Sequence, residues 1–142
     1  MMLICALVGM LLAEDSVSSI STIIVALVGI ALCSGSAAAI NQVIDRNADA
    51  AMTRTDKRPL PQGELSVFHA SSFAFVIGVL GALVLYIYIN TLTMVLTLAS
   101  LIGYAFIYTV YLKRATPQNI VIGGLAGAAP PLLGWTAISN TI

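Results

Sequence analysis

The sequence predicts an all-α membrane protein, a polytopic transmembrane helix bundle of about five segments forming a single domain over residues 1–142. Three observations carry that expectation. First, 59% of the residues are hydrophobic and only 8% are charged, with a mean hydropathy of +1.00; a soluble domain carries about 25% charged residues to stay hydrated. Second, the charges are confined to three stretches, Glu14–Asp15, Asp45–Glu64 and Lys113–Arg114. Third, most of the intervening runs are continuously apolar for about 20 residues, the length a helix needs to cross ~30 Å of hydrocarbon. The bilayer core offers backbone groups no water, so only helices or closed barrels span it. Barrel strands would alternate apolar and polar residues, and these runs do not.

In chain order, the first apolar segment is residues 1–13. It opens at Met1-Met2-Leu3-Ile4-Cys5 without the basic start of a signal peptide, and it is too short for a span. The expectation is that part of the first helix is missing. The second segment covers about 19–40, the third about 67–89, the fourth about 92–112 and the fifth about 118–138. Thr116 before Pro117 reads as a helix start, a cap residue followed by Pro at the first helical position. Pro130-Pro131 is expected to kink or break the fifth helix. Gly123, Gly124 and Gly127 are expected to allow close helix packing, the alternative being room for a bulky substrate. Cys5 and Cys33 lie inside apolar runs and read as packing residues rather than a disulfide or metal pair. Tyr86, Tyr88 and Trp135 suit interfacial belts.

The connections differ in charge. Glu14 to Ser18 has no Lys or Arg, residues 41–66 form a long polar loop with four basic residues, Asn90-Thr91 is an uncharged turn, and residues 113–117 are short and basic. If the helices alternate, every Lys and Arg falls on one side. The positive-inside pattern then places loops 41–66 and 113–117 on the cytoplasmic side, or the matrix side of a mitochondrial inner membrane.

The chemistry concentrates where the second segment ends, in Asn41-Gln42-Val43-Ile44-Asp45-Arg46-Asn47-Ala48-Asp49. Asn41, Asp45 and Asp49 are four apart, which on an α-helix puts them on one face with about 6 Å of rise between neighbours. Carboxylates facing the same way repel, the more so beside a bilayer, and a divalent cation would offset that cost. Oxygen ligands without sulfur or imidazole suit a hard cation, and Mg²⁺ is commonly shared between one or two carboxylates and substrate phosphates. Arg54, Lys57 and Arg58 follow as donors suited to phosphate oxygens. Arg46 points about 100° away from Asp45 and stays outside the site. The pattern therefore fits a substrate with a diphosphate head and an isoprenoid tail. A solvated, topology-setting charged loop is the plainer alternative.

The Asn41–Asp49 stretch, with Arg54-Thr55-Asp56-Lys57-Arg58-Pro59-Leu60-Pro61 behind it, resembles the first aspartate-rich motif and loop of the UbiA prenyltransferase superfamily. The run from Tyr108 to Trp135, with Lys113-Arg114 and Gly123-Gly124-Leu125-Ala126-Gly127-Ala128-Ala129-Pro130-Pro131, is similar to that superfamily's heme-farnesylating branch. The resemblance covers essentially the whole chain. It implies a larger helical bundle and Mg²⁺-dependent transfer of a farnesyl group from farnesyl diphosphate to the vinyl group of heme B. In that setting Asn41, Asp45 and Asp49 match the metal–diphosphate motif, with Asp45 and Asp49 central to catalysis. Arg54, Lys57, Arg58 and Lys113 match substrate-binding basic positions. The family also carries a second aspartate-rich segment in its C-terminal half, whereas no acidic residue follows Glu64 here. The expectation is an N-terminal portion, inactive alone, whose other half lies in the same or another chain.

His69 reads as an interfacial or satisfied histidine rather than a heme ligand. Tyr104, Tyr108 and Tyr111 share one helix face, as packing or as a cation-stabilising wall. A quinone or chlorophyll prenyltransferase, a transporter-like membrane protein using intramembrane carboxylates and a non-catalytic membrane partner remain the competing functions. No nucleic-acid signature is present.

Overall fold

The apolar segments form helices of the lengths their hydropathy requires. The computed structural model describes residues 1–13, 19–112 and 119–142, except for the side chains of 106, 107, 110–112, 119–123, 125 and 126. Its α-helices are α1 (Met2–Leu12), α2 (Ile20–Ala50), α3 (Val67–Tyr88), α4 (Thr91–Ile102) and α5 (Asn119–Ser139). No strand occurs among the described residues. Short polar side chains start three of the helices by accepting from first-turn amides: Ser19 from Ser21 N, Ser66 from His69 N and Asn90 from Thr93 N. The Thr116–Pro117 start lies outside the described residues.

The bundle is organised inside out relative to a soluble protein. Large apolar side chains face outward, among them Phe68 at 76% and Phe75 at 72% exposure, while Ala6, Ala26, Ala74 and Ala105 are fully buried. Lipid is as apolar as leucine, so helices gain by close backbone approach between small residues rather than by hiding large ones. α2 and α3 form an antiparallel pair on this principle. A Cβ added at Gly81 would come within 2.7 Å of Cys33 Sγ and 2.9 Å of the Gly29 carbonyl, and one at Gly29 would strike the Leu85 side chain. The Ser36 hydroxyl donates to the Ala74 carbonyl at 2.7 Å across the same seam. α1 meets α5 equally closely, with Gly9 against the Pro131 backbone and Gly134 against that of Ala6.

Of the kink or break expected at Pro130-Pro131, the break does not occur, because both prolines lie inside one continuous helix. The glycines that permit close approach are Gly9, Gly29, Gly78, Gly81 and Gly134, whereas a Cβ at Gly124 or Gly127 meets no described atom within 4 Å. The fourth segment carries a further difference: it is α-helical only to Ile102 and continues as a π-helix over Gly103–Leu112. Hydropathy cannot separate the two ladders, since both satisfy the backbone internally. α2 and α3 are each long and apolar enough to cross a bilayer. α2, with 31 residues, is about 46 Å long at 1.5 Å per residue, so its last turns extend past the hydrocarbon.

Candidate active site

Those last turns carry the stripe that the four-residue spacing predicts. α2 runs unbroken through Asn41, Asp45 and Asp49, so one face presents an amide and two carboxylates in succession. Asp45 is 5% exposed and Asp49 7%, while Asn41 is half-buried. Buried carboxylates are costly unless paired or coordinated.

The connection to α3 folds back over this face. It is a succession of turns, with Thr55 N donating to the Met52 carbonyl, Arg58 N to Thr55 and Gln62 N to Arg58. Gly63 adopts φ 75°, a left-handed conformation that glycine reaches without strain. The turns bury Thr55, whose hydroxyl donates to the Asp49 carbonyl at 3.0 Å. They also deliver Arg58, whose Nη1 donates to Asp49 Oδ2 at 2.7 Å. The Arg58 side chain is 41% exposed, against 10% for that of Asp49, so the arginine has solvent to move into. Asp56 has one carboxylate oxygen, Oδ1, that is buried and has no hydrogen-bond partner among the described residues.

Among the other basic residues, Arg46 folds back to donate to the Val43 carbonyl of its own helix at 3.0 Å, away from the stripe. Arg54 and Lys57 are exposed on the loop, and no described contact joins them to Asp45 or Asp49. Lys113 lies outside the described residues.

The π-helical segment closes on the stripe from another side. The Thr109 hydroxyl lies 3.0 Å from Asn41 Oδ1 and 2.9 Å from the Tyr104 carbonyl. Tyr104 and Tyr108 stack with ring centroids 5.5 Å apart and planes 15° apart; the Tyr111 side chain is outside the described set. Thr109 was invisible to sequence reading because an isolated threonine in an apolar run signals nothing. Thr55 and Asp56 sat unremarked among more conspicuous charges.

Beneath the stripe lies an apolar cavity of about 300 Å³ between α2, α4 and α5. Its α2 lining is Cys33, Ser34, Ala37 and Ala38, which precede Asn41 by helical spacings that place them on the same face. Tyr104, Gly127 and Pro130 complete other walls. Gly127 thus lines the cavity rather than a close helix contact. Thr97 also lines the cavity, with a buried hydroxyl that has no partner among the described residues. His69 is exposed, with Nδ1 2.7 Å from the Ser66 hydroxyl at the start of α3, a satisfied histidine. Cys33 packs in the core with a free thiol.

The donor set is compatible with a hard divalent cation. It consists only of oxygen-bearing side chains, with two buried carboxylates one turn apart, and Mg²⁺ commonly shares one or two carboxylates with substrate phosphates. It is also sparse: among the described residues no cluster of three His, Cys, Asp or Glu side chains gathers that could hold an ion.

Fold and site together define a helical membrane protein with oxygen-bearing side chains on one helix face above an apolar cavity. The chain belongs to the UbiA prenyltransferase family, whose description matches residues 2–142. It is 58% identical over 142 residues to protoheme IX farnesyltransferase 2 of Pseudoalteromonas atlantica, a match covering 100% of this chain and 47% of that protein. Its identity to the protoheme IX farnesyltransferase of Idiomarina loihiensis is 57%, covering 100% of this chain and 48% of the relative. For that of Shewanella denitrificans it is 59%, covering 100% and 47%. The chain spans about half the length of these relatives. No solved structure matches it significantly.

Proposed function

We propose that the chain forms the N-terminal half of a prenyltransferase that moves the farnesyl group of farnesyl diphosphate to the vinyl group of heme B, giving heme O. The observation that carries this reading is the stacking of two environments along one face of α2: oxygen-bearing side chains at half-buried Asn41 and buried Asp45 and Asp49, and below them an apolar cavity. The names of the relatives supply the donor and acceptor classes.

In this reading Asn41, Asp45 and Asp49 hold Mg²⁺, which supplies positive charge to the diphosphate as it leaves. Arg58 exchanges Asp49 for a phosphate oxygen, aided by its exposure, and Arg54, Lys57 and Lys113 add donors around the leaving group. The cavity shelters the farnesyl chain and excludes water while the allylic carbon bonds to the vinyl carbon; water then completes the hydroxyethylfarnesyl side chain. The remaining ligands come from the other half of the bundle, in the same or another chain, so residues 1–142 alone are inactive. The loops at 41–66 and 113–117 face the cytoplasm or matrix.

The test is an assay of the protein at its full native length in membranes, with farnesyl diphosphate, Mg²⁺ and either heme B or aromatic acceptors. Formation of heme O is expected. Prenylated aromatics without heme O would move the reading to a quinone or chlorophyll branch. Ion flux without any prenyl transfer would favour a transporter-like protein.

A further inference from the structure

The π-helical segment reaches the stripe through one side chain, Thr109. It is 0% exposed, so its hydroxyl has only protein groups to bond. One is the Tyr104 carbonyl at 2.9 Å, five residues earlier. In an α-helix a threonine hydroxyl bonds back to the carbonyl three or four residues earlier; here the spacing is that of the π ladder. The other is Asn41 Oδ1 at 3.0 Å, 68 residues away in sequence. Among the described residues this is the only side-chain hydrogen bond to Asn41. Without it the carboxamide would turn freely about a broad, roughly two-fold torsion. An amide oxygen carries two lone pairs. The Thr109 hydroxyl has a single proton and two acceptors in reach, the Tyr104 carbonyl and Asn41 Oδ1; when it donates to Asn41, the second lone pair of Oδ1 is left for a cation.

We propose that Thr109 is a positioning residue for the oxygen stripe: its buried hydroxyl, aimed by the π-helical turn, fixes the Asn41 carboxamide so that Oδ1 lies on the Asp45–Asp49 face. This rests on the reading of that face as a cation site. Groups that orient metal ligands typically change affinity by about 10–100-fold when removed. The π-helix thus has a local purpose, setting the register of one hydroxyl against a side chain on α2.

The experiment uses Mn²⁺ as the probe ion, its binding followed by electron paramagnetic resonance. The protein is studied at its full native length in lipid nanodiscs, without substrate or turnover. Thr109→Val is expected to weaken Mn²⁺ binding about tenfold, and Thr109→Ser, which keeps the hydroxyl, to stay within about twofold of the parent. In an Asn41→Ala background, Thr109→Val should cost nothing further, which a general packing defect would not reproduce. If the valine variant does not fold, Thr109→Ala carries the same expectations. Parental binding in Thr109→Val, together with weakened binding in Asn41→Ala, would overturn the role of Thr109 and leave the cation site standing. Parental binding in both Asn41→Ala and Asp45→Asn would remove the cation site itself, and this inference with it.

Discussion

The two ends of α2 belong to one unbroken helix and meet their neighbours by opposite means. From Ile20 to Ile40 it is held by close packing: Gly29, Cys33 and Ser36 lie against Leu85, Gly81 and Gly78 of α3, with a glycine on one side of each contact. From Asn41 to Ala50 it is held by polar partners drawn from elsewhere, Thr109 on Asn41 and Arg58 and Thr55 on Asp49. The lower part fixes the helix and the upper part carries the polar stripe. A rigid element locked by packing places side chains more closely than a loop can, and α2 carries the packed seam and the stripe on one continuous helix.

Substitutions that act on one end and spare the other sharpen this contrast. The largest effect is expected at the upper end. Asp45→Asn or Asp49→Asn should lower prenyl transfer by at least about a hundredfold, the scale of losing a charge-stabilising group, while membrane fractionation shows the protein still inserted. Next is the lower end, where Gly81→Val forces a side chain onto Cys33 and the Gly29 carbonyl. Overpacking of this kind costs about 1–3 kcal/mol, read as a lowered thermal midpoint in detergent; an unchanged midpoint would mean the seam has room.

Gly127→Leu probes the cavity that joins the two ends. Its backbone position is open, so the fold should persist while KM for farnesyl diphosphate rises severalfold, about 1 kcal/mol of lost fit. Smallest is Ser36→Ala, which removes one interhelical hydrogen bond to Ala74. Such bonds average about 0.6 kcal/mol in membranes, a slight shift in midpoint with no change in turnover.

The contrast also explains how much could be read beforehand. Hydropathy located the third and fifth helices closely, because crossing hydrocarbon demands both length and apolarity: the expected 67–89 is Val67–Tyr88 and 118–138 is Asn119–Ser139. The second, expected over 19–40 with a loop from 41, continues as helix to Ala50, because its polar end is still helical outside any apolar requirement. The spacing of Asn41, Asp45 and Asp49 was legible because α-helical periodicity is fixed. Arg58 could not be distinguished from Arg54 or Lys57, since the turns between Met52 and Gln62 decide which basic side chain swings onto Asp49. Gly127, four residues after Gly123, looked like a packing glycine by spacing, but close approach depends on what a neighbouring helix presents, and Gly29 and Gly81 show it without a conspicuous motif. The Thr109 contact required the π turn, which leaves no mark on an apolar sequence.

Binding of farnesyl diphosphate, measured with and without Mg²⁺ in nanodiscs for the parent protein and for Asp45→Asn and Asp49→Asn, is the most direct test of the oxygen stripe. The parent should bind tightly only when the cation is present, and each variant should lose most of that dependence. If the variants retained the parent's Mg²⁺-dependent affinity, the two aspartates would not be its cation ligands, and the stripe on α2 would be no more than a polar helix end.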